Sequence, residues 1–348
     1  VTGPAAPPLL RASPSRLLNL FIPPALAMLV AAAIALVLAL VGVGGQAHWL
    51  TLHLALLGGV SQLILGVGQF FACSYLATTP PTDRLLFVQL GAFNLGVVLL
   101  AAGRLAATPQ LAEAGAVLVV LALALFTLAI GQMRSRSLRR ADLTILWYLA
   151  GAASLALGVA LGALLVRGTA WSHGSLLGAH LALNLGGWIG AAIIGTLHTF
   201  YPTLTGTQLP RPHLEPPTLA LWMFGVWALA GALAWSLGWL ATLALASLAL
   251  ATVLLLVNLA TALLRRKIPL THAAKLVTAG QVLLAAALLA APFAIEATGG
   301  GVAFDWPAGG LLAACVLGWI ACTVAGSLIH LIGVMRHLRR LRKLRPGR

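Results

Sequence analysis

Residues Leu240 to Leu264 read LATLALASLALATVLLLVNLATALL and contain no Lys, Arg, Asp or Glu. An uninterrupted apolar run of about 18 residues or more can cross the hydrocarbon core of a bilayer as a helix. Leu26 to Val43 and Val117 to Ile130 are also free of these four residues. Strands can span a membrane only as a closed barrel, whose segments alternate in polarity. These runs do not alternate, so they are helices. The whole chain has the same character, at 61% hydrophobic and 8% charged residues. A soluble domain is nearer half apolar and a quarter charged. The fold class that follows is all-α, a polytopic transmembrane helical bundle.

Turn residues divide the apolar sequence. Pro80-Pro81, Pro109, Pro202, Pro210 to Pro217, Pro269 and Gly299 to Pro307 mark breaks, since Pro and Gly punctuate helices. About ten helices are predicted, at 17–44, 49–77, 84–106, 111–133, 143–166, 174–200, 218–238, 240–264, 270–294 and 308–335. Residues 1–16, rich in Pro and Ala and without a cleavable-signal pattern, read as a disordered lead-in. Residues 17–335 form the transmembrane domain and 336–348 a basic cytoplasmic tail.

The net charge of +15 does not indicate nucleic acid, because the basic residues sit in short loops. They cluster at Arg134, Arg136, Arg139 and Arg140, at Arg265 to Lys267, and from Arg336 to Arg348. Cytoplasmic loops carry such an excess. With ten spans and the N-terminus inside, every cluster falls on the cytoplasmic side. The outer loops keep only Arg104 and Arg167 among basic residues, beside Glu113, Glu296 and Asp305. The expected location is the cell inner (plasma) membrane, multi-pass, with both termini cytoplasmic and the tail on anionic lipid. All six carboxylates fall in or near loops. That weighs against a proton-coupled carrier, which keeps an ionisable group within the membrane.

The second helix contains His53-Leu-Ala-Leu-Leu-Gly-Gly-Val, and the sixth His180-Leu-Ala-Leu-Asn-Leu-Gly-Gly-Trp-Ile-Gly. The tenth contains Leu317-Gly-Trp-Ile-Ala and Gly326-Ser-Leu-Ile-His330, matching Gly195-Thr-Leu-His198 of the sixth. Three related helices four apart predict a pseudo-threefold repeat of four-helix units, although small residues also recur simply because they favour close packing.

Neutral imidazole is a common ligand of haem iron and copper. Two candidate pairs emerge: His53 with His180 at the outer side, and His198 with His330 at the inner side. His272 is a further metal-ligand candidate. His48, His173, His213 and His337 read as interfacial residues. The competing reading is structural, since histidines near helix ends also serve interhelical hydrogen bonds. Tyr201, three residues after His198 on the same face, is expected to share a polar pocket with Asn184 and Gln208, or else to mark a helix terminus at Pro202.

The stretches His48-Trp-Leu-Thr-Leu-His53 through Gly68-Gln-Phe-Phe-Ala, and His180-Leu-Ala-Leu-Asn-Leu-Gly-Gly-Trp-Ile-Gly through Ile194-Gly-Thr-Leu-His-Thr-Phe-Tyr-Pro-Thr-Leu, resemble a known membrane domain. It precedes copper nitrite reductase or multicopper oxidase modules in actinobacterial proteins, and is itself similar to subunit I of the haem–copper oxidases. The resemblance implies a threefold repeat of four helices and a haem-ligand histidine early in the second helix. It further implies haem b, with copper as a second candidate metal, quinol as electron donor, and an outer copper protein or cytochrome as acceptor. Two features depart from the family. Phe70 follows Gln69 where the family pattern has His, and no His-His pair occurs in the chain. Oxygen reduction is therefore not expected. The alternatives from other classes are a transporter or channel for a small solute or metal ion, and a cofactor-free membrane scaffold.

Overall fold

The computed structural model describes residues 14–138, 143–169, 171, 173–208, 211–296 and 308–344. They contain helices and no β-strand. The chain divides into two compact units. Unit 1 holds α1 (Ser15–Leu40), α2 (Ala47–Tyr75), α3 (Asp83–Leu105), α4 (Pro109–Arg136) and α5 (Leu143–Arg167). Unit 2 holds α6 (His173–Leu181, then Ala182–Gly190 and Ala191–Thr205), α7 (Glu215–Trp235), α8 (Gly238–Leu264), α9 (His272–Glu296) and α10 (Ala308–Leu344). Among the described residues, ten helices are long and apolar enough to cross a membrane. The protein is thus all-α and polytopic. Large apolar side chains such as Val30, Val282 and Leu289 are 61%, 65% and 74% exposed. In water such faces would drive association; against lipid they need no other cover.

The boundaries differ from expectation in three places. α1 stops at Leu40 rather than 44, because Gly42 and Gly44 turn with φ of +75° and +80°, values that glycine adopts without steric cost. α6 runs through Pro202 to Thr205 and ends at left-handed Gly206. Pro202 lacks only the N–H that His198 O would accept, and so late in the helix this does not end it. α10 continues to Leu344, so the basic stretch expected as a separate tail at 336–348 prolongs the helix. Most of the 1–16 lead-in, the Gly299–Pro307 loop and residues 345–348 lie outside the described residues.

The repeat is physical and has a constant spacing. α2 and α6 each contain a nine-residue π-helical segment, His53–Ser61 and Ala182–Gly190. The offset that carries His53 onto Ala182 also joins other irregularities. It carries Ala77 onto Gly206, which end α2 and α6 with φ of 48° and 65°. It carries Ala107 onto Ser236, which follow α3 and α7 with φ of 52° and 55°. Close helix contacts repeat at the same offset. A Cβ on Gly96 would lie 2.8 Å from Gly115 O and 3.0 Å from Val119 Cγ2; one on Gly225 would lie 3.0 Å from Ala244 O and 2.7 Å from Leu248 Cγ.

The packing order follows. α2 packs on α3, α4 and α5, with α3 on α4 and α4 on α5; α6 packs on α7, α8 and α9, with α7 on α8 and α8 on α9. The α1–α2 pair in turn resembles α9–α10: Gly59 faces Leu29 and Gly66 faces Phe21, while Gly318 faces Leu283 and Gly326 faces Val277. Small residues at these points let the backbones approach. The period is four helices, although the compact units hold five each.

Candidate functional site

His53 is the first residue of the π segment of α2 and is half-buried. Its Nδ1 lies 3.0 Å from Trp49 O. A carbonyl only accepts, so Nδ1 carries a proton, and in a neutral ring the lone pair is then on Nε2. The Trp49 and His53 rings stack with centroids 3.8 Å apart and planes 18° from parallel. Arg104, at the end of α3, sets its guanidinium 5.8 Å from the Trp49 ring and donates from Nε to Gln46 Oε1 at 3.0 Å. The result is a ladder of cation, indole and imidazole. It restrains the ring of His53 from one side and fixes its tautomer from the backbone. Carbonyl-held Nδ1–H is the usual support of an imidazole that ligates through its other nitrogen.

The wide turn begins at this histidine for a local reason. The Gly58-Gly59 pair in α2 and the Gly186-Gly187 pair in α6 are points where an α-helix readily departs from regular bonding. π segments recur at functional sites. In α6 the segment starts two residues after His180, which is half-buried and whose carbonyl accepts from Asn184 Nδ2 at 2.7 Å. His53 belongs to unit 1 and His180 to unit 2, so the expected outer pair is drawn from two separate compact units.

The inner candidates both lie in unit 2. His198 is fully buried on α6, at the repeat position of the equally buried Gln69 of α2. His330 on α10 meets Phe200 edge to face, with centroids 5.4 Å apart. Phe200 is two residues beyond His198, about 200° around the helix, so the Phe200 contact draws His330 to a different side of α6 from the one His198 occupies. His272 opens α9 and is exposed, as are His48, His213 and His337. The side chain of His173 lies outside the described residues. Among the described residues, no group of three or more His, Cys, Asp or Glu could hold a metal ion.

The pocket expected of Tyr201, Asn184 and Gln208 does not form. Seventeen residues separate Asn184 from Tyr201 on one helix, about 25 Å along its axis, and Gln208 is exposed beyond the helix end. The Tyr201 hydroxyl instead meets Thr278 Oγ1 on α9 at 2.9 Å.

Sequence reasoning passed over the buried amides. Gln62, Gln69 and Gln89 in unit 1 and Gln281 in unit 2 are at most 2% exposed. A glutamine inside an apolar span was the available signal. Gln281 is fully engaged: Nε2 donates to Val277 O and Thr323 Oγ1, each at 3.1 Å, and Oε1 accepts from Trp319 Nε1 at 3.3 Å.

No family model, curated protein or solved structure matches this chain.

Proposed function

We propose that this multi-pass chain is a redox protein of the cell inner (plasma) membrane, related to oxidase subunit I, that binds haem b through His53. In this proposal it passes electrons from quinol to an outer copper protein or cytochrome, with both termini in the cytoplasm. The observation that carries it is the pinned imidazole. Trp49 O holds a proton on Nδ1 and the Trp49 ring holds the plane, which makes Nε2 the ligating nitrogen of the neutral ring, the donor type that haem iron takes. The four-helix period supports the same kinship.

The fit extends to unit 2 only in donor chemistry. There His198 and His330 are the candidate ligands for a second group, His198 within the core and His330 against Phe200. Haem, when bound, supplies one-electron transfer. Trp49 and Arg104 orient His53. The absence of a His-His pair leaves oxygen reduction outside the proposal. Purified full-length protein tests it through its visible spectrum before and after reduction. A Soret band that sharpens and shifts on reduction is expected. A colourless protein overturns the proposal and leaves the transporter and scaffold classes.

A further inference from the structure

Gln62 and Gln69 on α2 and Gln89 on α3 are each 0% exposed. Gln69 Nε2 donates to Leu65 O at 2.9 Å and to Gln89 Oε1 at 3.2 Å. The Leu65 contact fixes which end of the Gln69 amide is nitrogen, because an oxygen there would face another acceptor. The Gln89 amide must then offer its oxygen to Gln69. Gln62 Nε2 reaches Phe21 O at 3.4 Å. Three amide ends remain without a protein partner: Gln62 Oε1, Gln69 Oε1 and Gln89 Nε2. Buried polar atoms left this way in a native fold call for a ligand or ordered water.

The chemistry of the three ends selects the ligand. Two accept and one donates, so the occupant must both give and take hydrogen bonds. From Ala47 to Tyr75, α2 carries no Asp, Glu, Lys or Arg, so it offers no charged partner to the occupant. The occupant is also small. Beside Gln69, an added Cβ on Gly68 would lie 3.2 Å from Tyr148 Cε1 and 3.4 Å from Phe126 Cζ, which leaves no width for a ring on that side. Gln62 and Gln69 are seven residues apart, two turns on one face and about 10 Å along the axis. That separation exceeds the reach of a single small molecule.

We propose that unit 1 buries ordered water at two separate points along α2, at Gln62 and at the Gln69–Gln89 pair, where it completes the amide hydrogen bonds; between them Gly66 packs directly on Phe21. This pattern of amides is specific to unit 1. The corresponding repeat positions in unit 2 hold Ala191, His198 and Thr218, and the Thr218 hydroxyl is engaged by Leu214 O at 2.6 Å. The inference stands apart from the haem assignment, because none of its residues is a proposed ligand.

The full chain, reconstituted in lipid bilayers with glutamine side chains labelled with nitrogen-15, provides the test. Solid-state NMR measures magnetisation transfer from water to each side-chain NH2 group. Gln281, fully bonded within unit 2, is the dry internal standard, so the wild-type protein suffices and no variant need fold. Gln89, whose amide nitrogen is the end without a protein partner, should receive water magnetisation at least about ten-fold faster than Gln281. Gln62, whose Nε2 has one partner in Phe21 O, should do so as well, and a Gln62→Met variant should keep the fast transfer at Gln89. If Gln62 and Gln89 are as dry as Gln281, the buried waters do not exist.

Discussion

His53 donates its Nδ1 proton to the carbonyl oxygen of Trp49 at 3.0 Å, while the two rings stack 3.8 Å apart. One residue thus governs both the tautomer and the plane of the other, and the two controls are separable by mutation. Trp49→Leu removes the stacked ring but leaves the backbone carbonyl. It should retain haem with a shifted midpoint potential and a broadened Soret band, measured by redox titration. Arg104→Gln, which removes the cation beside Trp49, should move the potential in the same direction by less. Identical potentials in all three proteins would mean that the ladder does not touch a redox group.

The glycines at helix contacts make a second, purely structural prediction. A Cβ on Gly103 would lie 2.3 Å from Ala112 N, and one on Gly115 would lie 2.5 Å from Gly96 O. These neighbours are backbone and cannot swing away. Gly103→Ala and Gly115→Ala should each destabilise the protein by about 1–3 kcal/mol, the usual range for overpacking. Gly91 has nothing within 4 Å of an added Cβ, so Gly91→Ala should leave thermal stability in detergent unchanged or slightly raised. Gly225→Ala should cost less than Gly115→Ala, because its tightest neighbour is the side chain of Leu248.

The Gln281 network predicts a different cost. Gln281→Leu removes the acceptor of the buried Trp319 Nε1–H and one partner of Thr323. A buried donor left without an acceptor costs about 1–3 kcal/mol. Thermal unfolding should record that loss, and the further change Trp319→Phe, which deletes the stranded N–H, should recover part of it.

Orientation is testable independently of chemistry. A reporter inserted after Ser137, in the loop that follows Arg134 and Arg136, should register cytoplasm; one inserted at Thr108, between α3 and α4, should register the outer side. Both on one side would overturn the ten-span threading.

The positions of the helices were legible because ten apolar runs and their Pro and Gly breaks carry that information directly. The kinship of the second and sixth helices was also legible, from their Gly-Gly pairs, but the register was not: in the structure His53 corresponds to Ala182, two residues after His180. The wide turns were not, because a Gly-Gly pair in a membrane helix signals close packing as readily as irregular bonding. The fixed offset between the repeats was hidden for a related reason. Gln69 and His198, or Gly115 and Ala244, share a place without sharing an identity, so the repeat lies in burial and backbone rather than in letters. The sequence singled out His53 as a candidate, but its hydrogen bond to Trp49 depends on a ring rotamer that no pattern encodes. His198 and His330 looked equivalent from their similar Gly-led stretches. The contact of His330 with the Phe200 ring was not legible, because it depends on how α10 packs on α6.

The most direct test is the reduced-minus-oxidised spectrum of His53→Ala beside that of the wild type and of His48→Ala, the exposed histidine one turn away. Wild type and His48→Ala should share one haem spectrum, and His53→Ala should lose it or shift it while its helical content is unchanged. A His53→Ala spectrum identical to the wild type, at equal haem content, would contradict ligation by His53.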